Sequence, residues 1–288
     1  MSTPAIHYHT VPVGNQSIFY RESGTASPLV LTLLLLHGFP SSSHQFRNLI
    51  GLLGPDFHII APDLPGFGFS SHPNHTDFAY TFDNLANVID NFTQVLKLDK
   101  YALYVFDYGA PVGFRIAMTH PERVVAIISQ NGNAYDDGLS DAWNPIRAYW
   151  KEPSLKNRET VRQTLLTYEA TKWQYTQGVV DPTVIAPESY ELDWVLLQRP
   201  GVIDIQLDLF LDYASNVQLY PAFHKYFAAK KPKLLAIWGK NDPFFLPAGA
   251  EAFKRDLPQA KVVLLDTGHF ALETHAPIIA GQILQFLA

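Results

Sequence analysis

The 288-residue chain contains no cysteine. That removes a disulfide framework and thiolate chemistry together. Charged residues are scarce, at 17%, and the net charge of −6 comes with no run of Lys or Arg. Nucleic acid is therefore not an expected partner. Long hydrophobic runs are also missing. The longest apolar stretch, Pro28 to Leu36, falls well short of the roughly 20 residues a membrane-spanning helix needs. The opening residues, Met1 to His7, show no basic segment followed by an apolar one, so no secretory signal is expected. Nor does Gly-x-Ser-x-Gly occur anywhere, which weighs against a serine hydrolase. The expectation is a soluble cytoplasmic protein, monomer or homodimer, with no membrane or nucleic-acid partner.

Apolar residues make up 47% of the chain, enough for a full core. The length suits one large domain with an insertion, or two small domains. Ile6 to Arg21 alternates in polarity and turns at Gly14-Asn15, which predicts a hairpin. Leu29 to Leu36 and Phe57 to Pro62 read as strands buried on both faces. Helical spacing runs through Ser43 to Leu53 and again through Thr81 to Leu96, where Phe82, Leu85, Val88, Ile89, Phe92, Val95 and Leu96 share a face. Further strands are expected at Tyr101–Phe106, Val124–Ser129, Lys233–Trp238 and Lys261–Leu265, with helices near Ala248–Arg255 and from Pro277. Strands alternating with helices imply an α/β protein with a mostly parallel, doubly wound sheet. The segment 133–229 breaks this rhythm. It holds every Trp except Trp238 and reads as a helical cap inserted between two halves of the core, 1–132 and 230–288.

The chemistry is concentrated at strand ends, where open α/β sheets bind ligands. In Tyr101-Ala-Leu-Tyr-Val-Phe-Asp107-Tyr-Gly-Ala-Pro-Val-Gly113 an apolar strand meets one polar residue and then small residues that open a helix. That is the context of a nucleophile elbow, with Asp107 at its tip. A carboxylate is ionised at neutral pH. Attack by it yields an ester of the enzyme, which suits opening a carbon–oxygen or carbon–halogen bond at saturated carbon. The turn His37-Gly-Phe-Pro40 can aim the Phe39 amide at the same place. With the amide of Tyr108 it would form an oxyanion hole. Asp242 follows one late strand and His269 the last, so the order Asp107, Asp242, His269 is nucleophile, acid, base.

Other features admit plainer readings. Asp107 could cap the following helix, and Asn241-Asp242-Pro243 is also a turn signal. Gly66-Phe-Gly68 lacks the third glycine of a dinucleotide fingerprint. His72 and His75 have no ligand-type partner at metal spacing, so no metal or cofactor is expected. The aromatics Tyr149, Trp150, Trp173, Tyr175, Trp194 and Tyr220 are core by default, with one or two lining a pocket.

Together, His37-Gly-Phe-Pro40, Asp63-Leu-Pro-Gly-Phe-Gly68, the Asp107 elbow, His120-Pro-Glu-Arg123 and Gly268-His269 resemble the α/β-hydrolase superfamily over nearly the whole chain. Within it they resemble the aspartate-nucleophile branch of soluble epoxide hydrolases, haloalkane dehalogenases and haloacetate dehalogenases. The resemblance implies an alkyl-enzyme ester on Asp107, hydrolysed by water that His269 activates. Phe39 in the His-Gly-x-Pro turn matches the epoxide hydrolases. Many haloalkane dehalogenases carry Asn there and Trp after the nucleophile, where this chain has Tyr108. The haloacetate enzymes carry arginines just after the nucleophile, where Tyr108 and Pro111 stand, so a small anionic substrate is not expected. Epoxide hydrolases use two cap tyrosines to hold the epoxide oxygen. Tyr220 matches the second, while the first falls near Ile146 with Tyr149 close by. His37, Tyr149, Trp150 and Tyr220 are thus the expected substrate-binding residues. The expected reaction is opening of a small apolar epoxide to a vicinal diol. The alternatives are dehalogenation, with Trp150 and Tyr220 holding the halide, and a non-hydrolytic ligand-binding protein that kept the fold.

Overall fold

The computed structural model describes residues 4–288. The first three residues of the segment read above for a leader lie outside the described residues. Eight strands form one sheet: β1 (His7–Val13), β2 (Gln16–Ser23), β3 (Thr32–Leu36), β4 (His58–Pro62), β5 (Tyr101–Phe106), β6 (Val124–Gln130), β7 (Lys233–Gly239) and β8 (Lys261–Leu265). Their order across the sheet is β1-β2-β4-β3-β5-β6-β7-β8. The expected hairpin pairs β1 with β2 antiparallel, with Val13 opposite Gln16. β2 is also antiparallel to β4, and every later pairing is parallel.

The central strands are buried on both faces, and the period of two assigns each residue to one of two cores. Leu34, Leu36, Leu103 and Val105 pack into one. Leu33, Leu35, Ala102, Tyr104 and Phe106 pack into the other. Helices α1 (Arg47–Leu53), α2 (Phe82–Val95) and α3 (Gly109–Thr119) come between strands in the first half of the chain. Thr81 caps α2 by accepting from the Asn84 amide. That bond satisfies one of the free N–H groups at the helix start. The Ser43 stretch begins as a short 3₁₀ turn over Ser43–Phe46 before α1.

Between β6 and β7 the chain adds α4 (Asn144–Lys151), α5 (Leu155–Leu165), α6 (Tyr168–Thr176), α7 (Pro187–Leu197) and α8 (Val202–Lys230). Helix α9 (Pro247–Asp256) precedes β8, and α10 (Leu272–Leu287) closes the chain. α10 starts at Leu272, ahead of Pro277. His275 is non-helical within it, the kink expected where a proline removes a hydrogen bond and crowds the preceding turn. No helix of the described residues is long and apolar enough to cross a membrane.

Candidate active site

Asp107 follows β5 with φ +48°, the left-handed region. Asp and Asn visit that region more readily than most residues, because a short polar side chain can bond locally. The turn is possible because its neighbours are small. A Cβ on Gly109 would overlap the backbone of Leu36, and one on Gly38 would overlap the Asp107 side chain itself. α3 can therefore start hard against β3, and the carboxylate is lifted over the sheet edge.

The two oxygens of Asp107 have different surroundings. Oδ1 accepts from the Phe39 amide at 2.6 Å. The Tyr108 amide also bonds this carboxylate and favours its charged form. Both amides thus lie against the Asp107 carboxylate. Oδ2 lies 3.9 Å from Nε2 of His269. Burial dominates the titration of Asp107 and raises its pKa to about 6, against the opposing pull of His269 and the two amides. The group is still mostly ionised at pH 7.

His269 follows β8, and its Nδ1 lies 2.7 Å from Oδ2 of Asp242, which follows β7. Asp242 Oδ1 accepts from the Phe244 amide at 2.7 Å. A carboxylate at Nδ1 places the Nδ1 proton there and leaves Nε2 facing Asp107. Burial lowers the pKa of His269. The charge and hydrogen bond of Asp242, with the charge of Asp107, outweigh that and leave it raised.

One contributor lay outside the sequence reading. Asn131, in the left-handed region just past β6, donates from Nδ2 to Asp242 Oδ2 at 2.7 Å and accepts the Gly239 amide on Oδ1 at 2.9 Å. A lone Asn after a strand carries no motif. Only its position beside the end of β7 gives it meaning.

A small cavity, with room for about 20 Å³ of water-sized occupancy, lies against Asp107 and His269. That is about one water. Phe39, Tyr108, Trp143, Ile146, Leu165, Gln174, Phe210 and Phe244 complete its wall. Leu165, Gln174 and Phe244 also line a larger outer cavity of about 530 Å³, with Ala142, Pro145 and Trp173. Leu165, Gln174 and Phe244 thus stand between the two cavities.

The expected cap donors stand elsewhere. Trp150 Nε1 donates to the Phe210 carbonyl at 2.7 Å. Tyr149 lends its hydroxyl oxygen to Arg158 at 3.1 Å. Tyr220 is buried and accepts from Asn133 Nδ2 at 3.2 Å. None of the three lines the cavity at Asp107, and Ile146 does. His37 also lies off the cavity wall. Its Nε2 accepts from the Leu64 amide at 2.9 Å, which makes Nδ1 the donor to the Gly38 carbonyl at 3.1 Å. Burial lowers its pKa and keeps it neutral. It pins the turn that carries Phe39. Tyr213, two turns before Tyr220 on nearly the same face of α8, is fully buried behind the cavity wall, with its hydroxyl toward that of Tyr220. Its ring lies 4.5 Å from that of Trp143 and 5.8 Å from that of Tyr108. Its pKa is pushed up first by burial, and then by Tyr220 and the charge of Asp107. The histidines of the Gly68-to-Tyr80 loop hold no metal-type cluster, and His75 pairs with Asp208 at 2.6 Å.

A mostly parallel sheet that gathers an elbow carboxylate, an imidazole and a second carboxylate at its carboxyl edge defines the α/β-hydrolase class. The chain belongs to the alpha/beta hydrolase fold family, which it matches over residues 32–276. It is 46% identical over 294 residues to an uncharacterized hydrolase of Saccharomyces cerevisiae, covering 100% of this chain and 99% of that one. It is 38% identical over 305 residues to a haloalkane dehalogenase of Bradyrhizobium diazoefficiens, covering 100% and 96%. The fold is shared with the epoxide hydrolase CorEH at a TM-score of 0.79 and 19% identity, covering 98% of this chain and 99% of that one. It is shared as well with the haloalkane dehalogenase DbeA of Bradyrhizobium elkani at 0.78 and 24%, with the same coverage.

Proposed function

We propose that this hydrolase opens small apolar epoxides to vicinal diols through an alkyl ester on Asp107. The observation that carries the reading is the asymmetry of the Asp107 carboxylate. Oδ1 is held by the Phe39 amide, with the Tyr108 amide also against this carboxylate, while Oδ2 faces His269 without a bond. Oδ2 attacks the epoxide carbon, the carbon–oxygen bond breaks, and the oxygen takes a proton from the Tyr213 hydroxyl. His269, oriented by Asp242, then removes a proton from water. The hydroxide adds to Cγ of the ester, and the resulting oxyanion sits at Oδ1 between the two amides. Collapse releases the diol and restores the Asp107 carboxylate and the Tyr213 phenol. Residues 133–229 act as a cap over this edge, with Ile146, Gln174 and Phe210 on the cavity wall and Tyr213 packed behind it against Tyr108 and Trp143.

Epoxides are favoured over halides by where the indole protons go. Trp150 Nε1 is spent on the Phe210 carbonyl and Trp143 Nε1 on that of Phe244, at 3.2 Å. Neither is free to hold a departing halide. Dehalogenation is the second reading, favoured by the 38% identity to a haloalkane dehalogenase. A panel of terminal epoxides and of alkyl chlorides and bromides, followed by diol and halide analysis, separates the two. Diol formation is expected. Halide release at a competent rate with no diol from any epoxide would reverse the choice.

A further inference from the structure

Gln174, on α6, is 2% exposed, and its Nε2 is buried with no hydrogen-bond partner. A buried amide donor left unpaired is costly, so such a group in a native fold calls for a reason. The side chain lines the cavity against Asp107 and His269, and also the outer cavity. With so little space there, an atom placed beside Asp107 contacts most of the wall. Elsewhere on that wall, Phe39, Ile146, Leu165, Phe210 and Phe244 have no side-chain donor, and the Trp143 indole is already bonded. The Tyr108 hydroxyl is the other buried donor there without a partner.

We propose that the Gln174 amide hydrogen-bonds the leaving oxygen as Asp107 opens the epoxide, in the place where Ile146 offers nothing. This rests on the reading of Asp107 as the nucleophile. The bond from Oδ2 to carbon forms while the carbon–oxygen bond breaks, and the electron pair moves onto the oxygen. Gln174 keeps its proton, because a carboxamide is not an acid in this range. The transferred proton comes from Tyr213. That phenolate is reprotonated by the proton the hydrolytic water releases in the second step. Gln174 lines both cavities together with Leu165 and Phe244, so an oxygen bonded to it sets the rest of the substrate against those two side chains. The fitting class is a terminal epoxide whose apolar chain runs into the outer cavity beside Ala142, Pro145 and Trp173.

The test is the rate of ester formation by Gln174→Leu and Gln174→Met with a terminal alkyl epoxide such as epoxyhexane, followed by rapid quench and intact mass. The expected fall is on the order of 10²-fold, the scale seen on removing one well-placed donor. Hydrolysis of the ester once formed should keep its rate, and melting temperature should hold or rise as an unpaired donor is lost. Should Leu fail to fold, Met preserves the shape and answers the same question. Ester formation at the wild-type rate in either folded variant overturns the role of Gln174. So does equal slowing of both steps with a lower melting temperature, the mark of a merely structural wall. If the wild-type protein forms no ester with any epoxide or haloalkane, the nucleophile reading itself falls, and this proposal with it.

Discussion

Nε2 of His269 stands 3.9 Å from Oδ2 of Asp107, beyond hydrogen-bond reach, while its Nδ1 holds Asp242 at 2.7 Å. The imidazole is therefore not spent on the nucleophile, and it fits the step that follows ester formation. His269→Gln should still react with substrate and then stall. Intact-mass spectra should show an adduct that persists for at least as long as many wild-type turnovers. A single wild-type turnover in oxygen-18 water should place label in Asp107. Label found only in the product would sink the covalent route.

The acid limb of activity should differ between the two steps. Asp107, with a pKa raised to about 6, loses its nucleophilic form as pH falls through that value. Ester formation should then drop about tenfold for each further pH unit. His269 has a raised pKa and must be neutral to act as base. Part of that rise comes from the charge of Asp107, which the ester abolishes. The limb for ester hydrolysis should therefore lie below the His269 value of the free enzyme. Rapid-quench rates of each step from pH 5 to 8 check this, and a flat profile for ester formation contradicts it.

Asp107→Asn should raise stability while removing turnover. The folded-state pKa of Asp107 lies above its ordinary value, so the folded protein binds the extra proton between the two. The buried carboxylate is a cost that is fully present above about pH 6 and fades as pH falls toward the ordinary carboxylate range. Asn keeps an acceptor for the Phe39 amide and tolerates the left-handed backbone. The gain in melting temperature should be larger at pH 8 than at pH 4.

Asn131→Gly should weaken both the fold and the second chemical step. Glycine accepts the left-handed backbone, so the change isolates the side chain. It removes the bond to Asp242 and leaves the buried Gly239 amide unpaired, a loss of about 1–3 kcal/mol. Denaturant unfolding should show that loss. Ester hydrolysis should slow more than ester formation, because Asp242 then orients His269 less firmly. Equal slowing of both steps would place Asn131 outside the relay.

Removing the Tyr213 hydroxyl should tell which cap tyrosine acts. Tyr213→Phe should slow ester formation from epoxides on the order of 10²-fold, the usual scale of general-acid help. Tyr220→Phe should have a smaller effect, since the Tyr220 hydroxyl is bonded to Asn133 while the Tyr213 ring packs against Trp143 and Tyr108 of the cavity wall. Trp150→Phe should leave halide release unchanged, because its indole proton already belongs to Phe210. A reversed order of the two tyrosine effects would restore Tyr220 as the donor.

The core of the site was legible in the chain because its signals are local. An apolar run, one carboxylate and then small residues fit a tight strand-to-helix turn. His37-Gly-Phe-Pro40, Asp242 and His269 each follow a strand of their own. In a mostly parallel sheet all such ends fall on one edge, so the sequence by itself determined that these groups would be neighbours and which face they would share. Tertiary structure decided the rest. Tyr213 and Tyr220 are two turns apart on α8, about 10 Å along the axis, and lie on nearly the same face. The heptad spacing that makes them look equivalent in sequence cannot choose between them. Only the height at which α8 crosses the sheet edge puts Tyr213 by Trp143 and leaves Tyr220 to Asn133. Trp150, Gln174 and Asn131 follow the same rule. Each owes its role to which donor or acceptor a separately packed element brings to it, and that depends on helix placement that no local pattern encodes.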